Sequence, residues 1–330
     1  MNLSIPEIDQ ISITILMDNT TDLLLKTSEH AVRPPFVMNE KVVLPPPVAE
    51  HGFSALINIP KHEHSTSNSF LFDTGVSENG VIHNADIFGI DLSKIDGIIL
   101  SHGHFDHFAG LVNIIKRISS SKAHTNNIDI FTHPDAFLRR WAIFPDGKRA
   151  KFPILDEQQL QQLGAKIHKN TDVIYLPNKE SPLITITGEI PREMSFEKGF
   201  PYQYSEDPKN EKNLIPDPLV KDDQALVANV SDKGLVILTG CGHAGAINTI
   251  NYAKKITGIN KIHAIIGGFH LPADGGVYEA AIGPSLKEFQ RAQPDYLIPC
   301  HCTGWKATNR IIETMPEKFI QSSVGTTFQF

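Results

Sequence analysis

Three observations predict a layered α/β fold. Short apolar runs of strand type alternate with segments whose apolar residues recur at helical spacing, the pattern of strand–helix–strand units. Five of those runs end in a residue able to ligate a cation or orient a ligand, and in layered α/β proteins sites assemble at the C-terminal edge of the strands. The chain of 330 residues, 41% hydrophobic, is long for one core but within reach of a single layered domain with a long insertion. We place that domain at 1–330 and the insertion at about 119–222.

In chain order, Ile11 to Met17 is strand-like and ends at Asp18-Asn19. Pro34, Pro35, Pro45, Pro46 and Pro47 deny regular structure to 33–50. Gly52 to Ile59 and Ser69 to Phe72 flank a polar turn and read as a hairpin. His62 and His64 within that turn imitate a metal pair, but their Ser/Asn-rich setting suits solvated turn residues. The second hairpin strand ends in Asp73. Ile98 to Leu100 then ends in His102, Leu235 to Leu238 in Cys241 and His243, Ala264 to Ile266 in His270, and Tyr296 to Ile298 in Cys300-His301-Cys302. Between these, Leu111, Ile114, Ile115 and Ile118 share a helical face, as do Ile247, Ile250 and Ala253 before Gly258. Pro284 is expected in a first helical turn, with Leu286 and Phe289 behind it.

The densest chemistry lies in Leu100 to His107, where three imidazoles and a carboxylate fall within six residues. His102 and His104 are two apart, so in an extended segment both leave one face and converge on one cation. Asp106 and His107 point elsewhere, giving half of a dinuclear site; locally bonded loop histidines are the blander account. Lys and Arg number 30 against 37 Asp and Glu, a net charge of -7, which leaves no general field for nucleic-acid phosphates. Three cysteines, Cys241, Cys300 and Cys302, are too few for a disulfide framework and fit a reducing compartment. No apolar run has membrane-spanning length, and Pro6, Glu7 and Asp9 interrupt what a signal peptide requires. The expectation is a cytoplasmic protein with a small-molecule substrate and no nucleic-acid or membrane partner, a homo-oligomer being open.

Leu71-Phe72-Asp73-Thr74-Gly75, followed by Ser101-His102-Gly103-His104-Phe105-Asp106-His107, resembles the first two motifs of the metallo-β-lactamase superfamily. Glu50-His51-Gly52, Gly188 to Arg192, Thr239 to Gly245, Gly267 to Leu271 and His301 to Gly304 resemble the branch that includes the archaeal 7,8-dihydropterin-6-yl-methyl-aminobenzene ribofuranosyl phosphate synthase. The resemblance implies a four-layer αβ/βα sandwich with a dinuclear centre. His102 and His104 would bind the first metal, Asp106 and His107 the second, His301 would be the late ligand of the second, and Asp73 would orient a ligand imidazole. The usual third motif supplies a histidine upstream of the strand bearing a bridging aspartate; this chain has Asp222-Asp223 upstream and Cys241 about where the bridging group would sit. His243, two residues beyond Cys241, is the candidate to complete the first metal's shell, with Cys241 or Asp222 bridging or just outside. Cys241 as a small buried residue in a tight turn stays open. Cys300 and Cys302, flanking His301 on the opposite face of an extended segment, read as packing. His270 either coordinates or stands beside the metals as a proton donor.

Such a site is expected to hold two divalent ions, zinc first, with Fe or Mn open, and to offer a hydroxide near neutral pH, with Asp106 able to take its proton. Within the insertion, Arg139, Arg140, Trp141, Lys148, Arg149 and Lys151 form either a patch for an anionic substrate or an exposed charged face. From Pro177 to Pro218, seven prolines without clear periodicity suggest a structureless lid, with Phe200, Tyr202 and Tyr204 over the groove. Three functions are consistent with this: hydrolysis of a small ester, lactone or phosphodiester; pterin-related transfer on a phosphorylated substrate; and non-catalytic metal-dependent sensing or partner binding.

Overall fold

A computed structural model describes residues 5–38, 40–60, 68–121, 127–178, 182–272 and 276–330. Its frame is two mixed sheets packed face to face. The first runs Ala165–Lys169, Ile128–Thr132, Gly97–Ile99, Asn68–Phe72, Ser54–Ile59, Ser12–Met17, Thr327–Gln329 and Ala31–Val32. The second runs Ile174–Leu176, Ile184–Ile186, Ala225–Val230, Gly234–Thr239, Ile262–Gly267 and Tyr296–Pro299. Ser54–Ile59 and Asn68–Phe72 pair antiparallel, as a hairpin. Each sheet also has a parallel half, whose strands point their C-terminal ends the same way: Asn68–Phe72, Gly97–Ile99 and Ile128–Thr132 in the first, and the last three strands in the second.

Period-two alternation divides the apolar side chains between faces. Val236, Leu238, Ala264 and Ile266 meet Ile13, Ile57, Phe70, Phe72 and Ile99 between the sheets. Leu235, Ile237 and Ile265 face outward onto Ala246–Thr257, Gly276–Ala292 and Trp305–Thr314. Leu56, Leu71, Ile98 and Ile130 face outward onto Gly80–Ile87, Leu111–Ser121 and Glu157–Gln162. The result is the four-layer αβ/βα sandwich. Burying each Val, Leu, Ile or Phe contributes about 1.5–3 kcal/mol, so the inter-sheet layer that carries the site edge is its most heavily stabilised part.

The helix Leu111–Ser121 buries Leu111, Ile114, Ile115 and Ile118, and Ala246–Thr257 stops at Gly258 in the left-handed region, φ 75°. Pro284 departs from expectation: it lies inside Gly276–Ala292 and not in its first turn. His62 and His64 lie outside the described residues. Among the described residues, no helix is long and apolar enough to cross a membrane.

The stretch expected to be a structureless lid is partly ordered. Gln203–Asp207 and Asn210–Pro216 form a hairpin, and with Arg140–Ile143 and Arg149–Lys151 they make a four-stranded antiparallel sheet. Its pattern was hidden because Asn210–Pro216 is largely exposed and carries no apolar face. Side-chain pairing holds it instead: Arg149 and Lys151 sit 5.4 and 5.3 Å from the Trp141 ring, whose Nε1 donates to Glu206 at 3.1 Å. Arg140 does not belong to a surface patch at all, being buried, while Lys151 and Arg139 are offset by Glu206.

Candidate metal centre

His102, His104, Asp106 and His107 leave the end of Gly97–Ile99, the last two on the short helix Phe105–Phe108. Cys241 and His243 follow Gly234–Thr239, and His301 follows Tyr296–Pro299. One sheet thus brings four of these groups and the other three, and they meet where the two edges close. Gly240 permits that approach, since a Cβ there would lie 2.2 Å from Ser101 Oγ and 2.8 Å from Asp73 Oδ2. Gly103 is constrained likewise, its Cβ position being 2.1 Å from the Ala136 carbonyl oxygen.

The donor atoms fall into two groups. In the first, His104 Nδ1 lies 3.0 Å from His102 Nε2 and 3.1 Å from His243 Nε2. The hydrogen-bond network assigns the tautomers. His104 Nε2 donates to Gln203 Oε1, leaving Nδ1 bare. Ser101 Oγ donates to Asp73 Oδ2 at 2.7 Å and accepts from His102 Nδ1 at 2.9 Å, leaving Nε2 bare. Two lone pairs therefore face each other in a buried place. In the second group, Cys241 Sγ is 3.2 Å from both His107 Nε2 and His301 Nε2. Asp106 Oδ2 lies 3.4 Å from His301 Nε2 and 3.7 Å from His107 Nε2. Ligand atoms ~2.0–2.3 Å from one tetrahedral ion are roughly 3.3–3.7 Å apart; the Asp106 distances fall in that range, and the His–His and Cys–His distances lie a few tenths of an ångström inside it.

The protein groups alone create the same demand for positive charge. Burial, reinforced by the neighbouring imidazoles, holds His102 and His243 well below the ordinary histidine range, and burial with the Arg140 guanidinium brings His104 to about 4. At His107 burial acts downward too, but Asp73 and Asp106 outweigh it and raise the group to about 9. Burial would raise Asp106, yet His107 and His301 hold it well below the usual carboxylate range.

Outside the donor atoms lies a layer of orienting groups. Asp73 Oδ2 accepts from His107 Nδ1 at 2.7 Å and Asp73 Oδ1 from the Ser101 N–H at 2.7 Å. Asp73, His270 and His301 leave their strands with φ of 58°, 45° and 49°, left-handed conformations of the kind that cluster at functional sites and need surrounding bonds to persist. His301 is fixed by Asp18 Oδ1, which accepts its N–H at 2.8 Å, and by Asn19 Nδ2, which donates to its carbonyl at 2.8 Å. Because of that turn, Cys300 and Cys302 do not flank His301 on an extended segment. Cys300 enters the inter-sheet core, whereas Cys302 Sγ donates to the Cys241 carbonyl at 3.0 Å. Of its two expected places, bridging or just outside, Asp222 takes the second. Its Oδ1 accepts from Arg140 Nη2 at 2.6 Å and its Oδ2 from the Gly103 N–H at 2.7 Å, so the pair clamps the loop between His102 and His104. Asp223 Oδ1 lies 3.9 Å from His102 Nδ1, and Oδ2 accepts from the Ala244 N–H at 2.7 Å.

His270 lies beside His243, ring centroids 4.0 Å apart, with Nε2 3.3 Å from Tyr278 Oη. Its ring also falls within one ligand-sized group with Cys241 and Cys302. Phe200 packs near His104, His243 and His270, at 6.2, 6.3 and 6.3 Å, and Tyr202 stands behind Phe200. Tyr204 instead pairs with Trp141 and Pro216 within the small sheet. Gln203, Asp18, Asn19 and exposed His51, whose Nε2 is 3.8 Å from Asp106 Oδ2, were not singled out by sequence reasoning. The visible signals were the Glu50-His51-Gly52 triplet and the position of Asp18-Asn19 at the end of the run Ile11 to Met17.

A four-layer sandwich whose two strand edges join two groups of His, Asp and Cys donors defines a class of divalent-metal-binding αβ/βα proteins. Residues 63–245 match the model of the Metallo-beta-lactamase superfamily. The chain belongs to that superfamily. It is 33% identical over 286 residues, 86% of this chain and 90% of the relative, to the 7,8-dihydropterin-6-methyl-4-(beta-D-ribofuranosyl)-aminobenzene-5'-phosphate synthase of Methanocaldococcus jannaschii. An uncharacterized protein of the same organism is 32% identical over 84% of this chain and 92% of its own length. The crystal structure of a metal-dependent hydrolase of the beta-lactamase superfamily superposes with a TM-score of 0.69 at 20% identity, over 96% of this chain and 98% of that one.

Proposed function

We propose that the chain is a metal-dependent hydrolase acting on a small ester, lactone or phosphodiester. The observation that carries this reading is the pair of adjoining donor groups, His102, His104 and His243 beside Asp106, His107, Cys241 and His301. Each would hold one divalent cation, zinc first because imidazole, carboxylate and thiolate donors suit it. Such cations supply Lewis acidity toward a carbonyl or phosphoryl oxygen and acidify water. The chain's own residues do the rest. Asp106, with exposed His51 3.8 Å beside it, takes a proton. His270, partnered by Tyr278, stands on the His243 side and returns one to the leaving group. Phe200 excludes water above His104 and His243.

A second reading, transfer on a phosphorylated pterin-related substrate, is favoured by the likeness to the archaeal synthase over most of both chains. The metal ligands are common to both readings, so activity separates them. Purification without chelator is expected to give about two metals per chain by elemental analysis; none would overturn the catalytic reading. Esters, lactones, phosphodiesters and pterin precursors should be tested on wild type and on Asp106→Ala. The variant is expected to lose on the order of 10²-fold or more in turnover; turnover equal to wild type removes Asp106 from the reaction. Product formation only from pterin precursors with a second substrate present selects the transferase.

A further inference from the structure

Away from the metal centre, the outer face of the eight-stranded sheet carries a cavity of about 400 Å³. It lies between that face, the proline-rich segment after Val32 and the end of the helix Gly80–Ile87. Leu23, Val43, Leu56, Ile87, Phe88 and Ile90 supply most of its apolar lining. Gly325 brings the walls together, because a Cβ there would lie 2.5 Å from Phe88 Cζ and 2.8 Å from Pro34 Cγ. Its volume is near the lower end for ligand pockets, roughly 300–1,000 Å³, and its walls share no residue with the metal cluster.

Arg33 is the one cationic residue lining this space among the described residues. Its Nη1 donates to Thr326 Oγ1 at 2.7 Å, but its Nε is shielded from solvent without a protein partner. A shielded guanidinium N–H with no acceptor is costly, and a carboxylate meets it with a charge-assisted bond. A single cation set in apolar walls matches one negative charge on a hydrocarbon body and leaves a phosphate dianion undercompensated. Asp22 acts on Arg33 through its charge but makes no bond to Nε, its Oδ1 accepting from the Leu24 N–H at 2.9 Å; Thr14 and Thr327 hydroxyls pair with each other at 2.8 Å, and Asn58 Oδ1 accepts from Ser69 Oγ at 2.6 Å.

We propose that this cavity binds an aliphatic carboxylate, its head on Arg33 and its chain against Leu56, Ile87 and Phe88. The class covers free fatty acids and the shorter acyl acids released from esters. Calorimetry on the full chain with sodium octanoate, sodium acetate and 1-octanol tests it. Octanoate is expected to bind at least ten-fold more tightly than either control, acetate lacking the hydrocarbon and octanol the charge. Arg33→Leu should reduce octanoate to the level of octanol while leaving octanol unchanged, and Val43→Trp, which fills the space, should weaken both; circular-dichroism melts report whether the variants are folded. Equal binding of octanol and octanoate overturns the assignment, as does octanoate binding that survives Arg33→Leu. No octanoate binding overturns it, and a dimer in sedimentation that Val42→Lys splits would then place a second copy of the chain on this face. Dodecanoate binding as tightly as octanoate would point to fatty-acid sources, and its exclusion to short acyl products.

Discussion

Asp73 decides which nitrogen of His107 is available. By accepting from Nδ1 at 2.7 Å it turns Nε2 toward Cys241 and Asp106. Asp73→Asn keeps the shape but presents an amide that can donate where a carboxylate accepted. Loss of such an orienting partner typically lowers metal affinity 10–100-fold, so zinc competition against a chromophoric chelator should show one of two metals weakened in this variant. Two metals held as in wild type would contradict the role. Glu197 works at a distance from the donors. Its oxygens accept from the Ile247 and Asn248 N–H groups at 2.8 Å, closing the start of the helix Ala246–Thr257 that follows His243. Burial outweighs those two bonds and raises the carboxyl to about 7. With the folded value above the ordinary one of 4.5, the folded state binds the extra proton, so this group's contribution to stability falls as pH rises from about 4.5 to about 7 and is constant above. Urea midpoints across that window should decline less in Glu197→Gln than in wild type, and parallel pH profiles would count against the shift.

At the scale of elements, the legible part of the site was the part written at strand ends. Asp73, His102, Cys241, His243, His270 and His301 each close an apolar run, and an apolar run that stops at a ligand-type residue is visible without a fold. The clamp behind them was not. Asp222 and Arg140 are 82 residues apart and both charged, and nothing local distinguishes a buried arginine on Arg140–Ile143 from an exposed one. Gln203 reaches His104 across 99 residues, and Asn19 reaches His301 across 282. Such partners are chosen by topology, which composition and periodicity do not encode. Pro284 was misplaced for the related reason that a first-turn preference is a local rule, while a packed helix accommodates the ring. The clamp has a measurable signature. Removing one partner of a buried ion pair costs about 3–5 kcal/mol because the other charge is stranded. Arg140→Met and Asp222→Leu should each lower the unfolding midpoint, and the double variant should lower it less than their sum. Additive losses would mean that Arg140 and Asp222 act independently, and the Gly103 loop would then need another support.

Across the whole molecule, the two sheets share a core, but at the site edge they are joined chiefly by groups that carry lone pairs or charge. His102, His104, Asp106 and His107 belong to one sheet, and Cys241, His243 and His301 to the other. Both donor groups draw from both sheets, so any cation bound there crosses the interface. Without it, His102 Nε2 and His104 Nδ1 face each other at 3.0 Å in a place where burial disfavours the second proton that would charge either ring. Metal should therefore stabilise the fold itself, by RT ln(1 + [L]/Kd) when only the native state binds, about 2.7 kcal/mol at a hundred-fold excess over Kd. Chelation is expected to lower the melting temperature and zinc to restore it, the restored value rising with free zinc. The variants then divide the effect between the groups. His243→Ala should weaken chiefly the part due to the first cation and His301→Ala chiefly the part due to the second, because each histidine stands in one group while Cys241 lies within reach of both. If chelation leaves the melting temperature unchanged while metal content falls to zero, the cations do not tie the sheets together, and the strand edges are held by the inter-sheet core alone.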